Sequence, residues 1–133
     1  MELPKCPTTD RYGQLFSSPI LEYMNAQQPD GLGHAVIGGF VYHGTALPFL
    51  QDHYLFGDWS GTGDHAPLFH AFLSNGSSLW SSEPLNVSST ADYLLPGYLL
   101  GFGEDAYGEP YVCTSSDMGP TGSSGAVYKL TPG

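Results

Sequence analysis

Basic side chains are almost missing from this 133-residue sequence: Lys5, Arg11 and Lys129 stand against thirteen acidic residues, for a net charge of −10. Phosphate backbones are bound by clustered Lys and Arg that displace counterions, so nucleic acid is excluded as a partner. Anionic membrane surfaces are disfavoured for the same reason, and acidity by itself implies little beyond solubility. No apolar run reaches the length of a transmembrane helix. The opening "MELPKCPTTD" lacks the basic start and apolar core of a signal peptide. The chain is therefore expected to be cytosolic, or to have had a leader removed or encoded upstream. Cysteine is scarce as well. Cys6 and Cys113 allow one disulfide, but two cysteines so far apart in sequence do not settle the redox compartment.

Helical spacing is also missing over any useful length, and "TADYLLPGYLL" is cut by Pro96-Gly97. What is present is 18 Gly, 11 Pro and 14% aromatic residues, which punctuate the chain into short, aromatic pieces. Disordered chains are poor in aromatics, so this composition predicts an all-β fold. Eight strands are expected, at residues 19–23, 35–43, 53–58, 68–74, 78–85, 98–103, 110–115 and 126–131. Asn75-Gly76 suits the positive φ of a tight turn and predicts a hairpin between the fourth and fifth. Residues 35–85 form one four-stranded sheet in this reading, and 98–131 form three strands of another, with 19–23 as its closing strand. Periodicity alone leaves a sandwich, a barrel and propeller blades open.

The stretches "ILEY…GHAVIGGFVYHGTALPFLQDHYLFGDWSG" and "LLGFGEDAYGEPYVCTSSDMGPTGSSGAVYKLTP" settle the choice. In that order they resemble the C-terminal blades of the glucose/sorbosone dehydrogenase-like β-propellers. That family spans soluble quinoprotein sugar dehydrogenases and the propeller of Hedgehog-interacting protein. The resemblance covers most of residues 19–132. It implies two four-stranded propeller-like blades, in which "HGTALPFLQD" links a channel-side strand to its neighbour. Propellers need at least four blades. Two blades therefore imply part of a six-bladed ring, or completion by oligomerisation into a ring or filament.

In the enzymes of this family, pyrroloquinoline quinone (PQQ) is held with calcium by cations on inner strands and loops. The resemblance places a lysine in the loop that here reads "GDWSGTG", where Trp59 and Ser60 stand. An arginine pair is expected on the closing blade's inner strand, where Tyr98 and Leu100 stand. No cofactor is therefore expected for this chain alone. A PQQ-dependent sugar oxidoreductase, with calcium and with its site completed by other blades or chains, is the alternative.

Other chemistry is weaker. Glu104, Asp105 and Asp117 are candidate calcium ligands, without EF-hand spacing and with a turn-shaping role as the competing reading. His34, His43, His53, His65 and His70 hold a metal only if strands bring two of them together. Trp59, Trp80 and Tyr107 suit sugar stacking but serve blade packing equally well, so a small carbohydrate-binding module is a third reading. The sequons at Asn75 and Asn86 suit an extracellular or cell-surface glycoprotein. Taken together, the sequence predicts a secreted structural or binding module that self-assembles or joins the missing blades of a longer protein.

Overall fold

The computed structural model describes residues 6–61, 63–74, 80–87, 94–119 and 121–133. The fold is all-β. β-branched and aromatic residues set the strands, and Gly, Pro and Asp end them. In chain order these are β1 (Val36–Val41), β2 (Tyr54–Asp58), β3 (His65–Ala66), β4 (Leu68–Leu73) and β5 (Trp80–Pro84), then β6 (Leu95–Pro96), β7 (Tyr98–Glu104), β8 (Pro110–Ser115) and β9 (Gly125–Lys129). A 3₁₀ turn, Pro48–Leu50, lies between β1 and β2. Among the described residues no helix is long and apolar enough to cross a membrane.

Two antiparallel sheets carry the architecture, one of four strands in the order β1-β2-β4-β5 and one of three in the order β7-β8-β9. A small third sheet, β3 with β6, pairs Ala66 with Leu95 between them. Its two-residue strands are too short to leave a period in the sequence. The Gly38-Gly39 pair falls where the β1–β2 register shifts, between Ile37 and Phe40. Such a bulge bends the strand and increases its twist. The turn at Asn75-Gly76 lies outside the described residues.

Residues 19–23 depart from expectation. They form no strand and pair with no edge of the β7-β8-β9 sheet. Instead Leu21 and Tyr23 pack on Phe56 and Phe69, on the outer face of the four-stranded sheet. The physical reason is burial. Two aromatic rings on a sheet face offer more apolar area than three or four edge hydrogen bonds can offset.

The main core lies between the two sheets. Alternation along β2 sends Leu55 to the inner face, and its partner strand β4 adds Leu68; β7 and β8 answer with Leu99 and Val112. Gly57 marks the closest approach, because a Cβ there would lie 2.4 Å from Leu99 Cδ2. The β1–β2 connection closes one end of this core with Tyr42, Leu47 and Leu50. That is the role of "HGTALPFLQD": an apolar plug held by the 3₁₀ turn, with Leu50 N–H donating to Leu47 O at 2.9 Å.

This packing separates neighbours on β7. Leu99→Ala, fully buried in wild type, is expected to cost about 3 kcal/mol. Leu100→Ala, on the exposed side, should stay within about 0.5 kcal/mol. Urea unfolding of both variants checks this, and equal losses would contradict the inter-sheet position of Leu99.

Candidate functional site

Two carboxylates are taken out of solvent and used as internal acceptors. Glu109 follows the β7–β8 turn. Its Oε1 accepts the backbone N–H groups of Thr45 (2.9 Å) and Ala46 (3.0 Å), and its Oε2 accepts the Tyr42 hydroxyl at 2.8 Å. The same hydroxyl accepts Leu47 N–H at 2.9 Å. One side chain of the second blade thereby fixes the β1–β2 connection of the first. The Thr45 N–H leads in holding the Glu109 carboxyl below its ordinary range, opposed by partial burial and helped by Ala46 and Tyr42. Burial pushes the Tyr42 phenol up, opposed by its bond from Leu47 and assisted by the glutamate.

Asp58, at the end of β2, is fully buried. Its Oδ1 accepts the N–H groups of His34 (2.7 Å), Ala35 (3.0 Å) and Ser60 (3.1 Å), and its Oδ2 accepts the Tyr23 hydroxyl at 2.6 Å. Burial and the aspartate partner raise the Tyr23 phenol far above its usual value. A Cβ on Gly33 would sit 2.1 Å from the Asp58 carboxyl carbon, so only glycine lets the arm come this close. Beside this anchor runs an apolar groove of about 390 Å³, lined among others by Ile20, Leu21, Val36, Tyr54 and Phe56. Neither Asp58 nor Glu109 stands out in the sequence as an internal acceptor. An acidic residue directly after "LFG" or before a strand-starting proline gives no periodic signal.

The positions that the resemblance assigns to quinone-holding cations have different surroundings. Trp59 stacks on Tyr98, with ring centroids 4.5 Å apart and a 22° interplanar angle. The Trp59 backbone also bridges the blades, donating to Ala35 O at 2.8 Å and accepting from Leu99 N–H at 3.0 Å. Ser60 donates its N–H to Asp58 and its hydroxyl to Gly63 O. Leu100 is exposed. Lys129 Nζ pairs with Asp105 Oδ2 at 2.9 Å and lies 5.3 Å from the Tyr111 ring centre, and Arg11 sits over the exposed Tyr12 ring. Lys5 is outside the described residues.

The remaining candidates are dispersed. Asp105 accepts the N–H groups of Tyr107 (2.9 Å) and Glu109 (3.0 Å) and so shapes the β7–β8 turn, beside the exposed Glu104. Asp117 lies beyond the far end of β8, bonded to the Ser124 hydroxyl. Among the described residues no group of three or more His, Cys, Asp or Glu is placed to hold a metal. Trp59 stands at one end of the sheets. Trp80, half-buried beside Phe69, and Tyr107, exposed on its turn, stand toward the other end on different blades. Cys6 and Cys113 are unbridged thiols. Asn86 is exposed just after β5, and Asn75 is outside the described residues. Of the histidines, His34 is held through its backbone, while His43 and His65 pair with Asp52 and Asp64. Strand pairing does bring His53 and His70 together, Nδ1 to Nδ1, at 2.9 Å.

Over 100 residues, 71% of its length, the chain is 34% identical to a Mus musculus protein and 33% identical to the Homo sapiens counterpart. The chain is similar to Hedgehog-interacting protein. It spans about 13% of the length of these relatives. No protein-family model matches it.

Glu109 gives an acid-side signature. Because the folded state holds its carboxyl below the ordinary value of 4.5, its stabilisation is complete above that pH and is lost as pH falls through the folded-state value. Glu109→Gln, which replaces one acceptor oxygen by an NH₂ group, should melt below wild type at neutral pH. The gap should narrow as the pH falls below 4.5. Thermal unfolding across that range checks it, and a gap that stays constant would contradict the carboxylate's role.

Proposed function

We propose that this chain is a non-catalytic binding module of propeller type, acting outside the cell, whose two blades are completed by further blades or further copies. The observation that carries this reading is the inner-strand chemistry. Trp59, Ser60, Tyr98 and Leu100 are spent on stacking, on the Asp58 network and on solvent contact, and none supplies a cation. Similarity to a protein named for interacting with Hedgehog supports protein binding over small-molecule turnover. The exposed sequon at Asn86 fits an extracellular surface.

The completion of the blades rests on exposed apolar residues. Ile20 and Val36 rim the groove, and Leu73, Leu100 and Val127 lie on strands of both sheets. Apolar side chains spread over sheet faces mark surfaces that another layer covers.

Two measurements test the reading. Reconstitution with PQQ and calcium should give no aldose-dependent dye reduction above background; robust turnover would overturn the non-catalytic assignment. Light scattering at micromolar concentration should give a mass above the 14.2 kDa of one chain. A stable folded monomer would remove self-completion and leave only completion by blades of a longer protein.

A further inference from the structure

We propose that His53 and His70 form a proton-sensitive clasp between the start of β2 and the middle of β4, closed by one shared proton and opened when both rings are charged. Their Nδ1 atoms are 2.9 Å apart, and their rings are within 8° of parallel. That contact requires one Nδ1–H donor and one Nδ1 lone pair. The neutral pair satisfies it, with the two rings in opposite tautomers. The singly charged pair also satisfies it, with an imidazolium donating to a neutral ring. The doubly charged pair has two N–H groups facing each other, no acceptor and two like charges in contact.

The surroundings reinforce the last step. His70 is buried. Phe72 stacks on both rings, with centroids 4.9 Å from His53 and 5.9 Å from His70, and Phe49 of the 3₁₀ turn meets the His70 ring nearly at right angles. From β5, Glu83 Oε2 lies 3.9 Å from His70 Nε2, which favours one charge on the pair at His70. From the β1–β2 connection come His43 and Asp52, but they pair with each other at 3.2 Å. Among the described residues, one positive charge therefore has a nearby counter-ion and a second has none. Burial and then His53 hold the His70 ring below its ordinary 6.5, against the opposing pull of Glu83.

The linkage has a definite sign. Below about pH 6.5 the unfolded chain binds a proton on each histidine, while the closed clasp binds only one. Stability therefore falls as the medium is acidified from that value. It does so by up to about tenfold in the folding constant per pH unit, until the clasp takes its second proton and opens. This window lies above the one set by Glu109.

The test uses the full chain. An NMR titration of the imidazoles from pH 8 to 4.5 should show a coupled pair that takes up its two protons in separate steps. Chemical unfolding at pH 7.0, 6.0 and 5.0 should show stability falling with pH. In His53→Gln, the amide oxygen can accept the His70 Nδ1–H in both of its charge states, so this slope should flatten. Independent single-step titration of both rings near 6.5 would overturn the proposal. So would a pH slope in His53→Gln equal to that of wild type.

Discussion

The two-blade arrangement depends on one buried carboxylate reaching across from the second sheet to the first. Glu109 gathers the Tyr42 hydroxyl and the N–H groups of Thr45 and Ala46, all from the connection that caps the inter-sheet core. Without that acceptor, the buried Tyr42 hydroxyl would have no partner for its proton, and the Thr45 and Ala46 N–H groups would lose theirs. Unsatisfied buried donors cost more than a typical hydrogen bond contributes. The anchor therefore fixes the direction in which the connection turns, and with it which apolar residues plug the core.

Asp58 plays the corresponding part on the other side of the first sheet. It draws in Tyr23 and the backbone of residues 34 and 35, and so lays the N-terminal arm over Phe56 and Phe69. Electrostatics explains why carboxylates do both jobs. In a chain with thirteen acidic residues and three basic ones, buried carboxylates can be neutralised only by N–H and O–H dipoles. The geometry supplies those dipoles in both places.

This organisation bears on function through what it leaves uncommitted. Trp59, in the loop after β2, and Tyr98, at the start of β7, are taken up by their stack and its backbone bridges, whereas strands of both sheets keep apolar residues in water. The chain covers about 13% of the Hedgehog-interacting proteins it resembles.

The strand set was legible in the sequence because alternating aromatic and β-branched residues between Gly and Pro specify strands locally. The seven expected strands from residue 35 onward find their counterparts in β1, β2, β4, β5, β7, β8 and β9. Residues 19–23 misled because "PILEY" alternates like a strand, yet where such a segment packs is decided by the faces available to it. The two anchors were not legible as such. An isolated Glu or Asp at a strand end reads as a solvated charge until the fold brings donors from 23 to 67 positions away in sequence. The histidine pair followed the same rule, since residue type limits what two imidazoles can do and only β2–β4 register makes them meet. Composition and local pattern determined the all-β class, the strand positions and the shortage of cations. Tertiary structure decided which carboxylates are buried and which histidines touch, because both depend on contacts between segments that the chain itself keeps far apart.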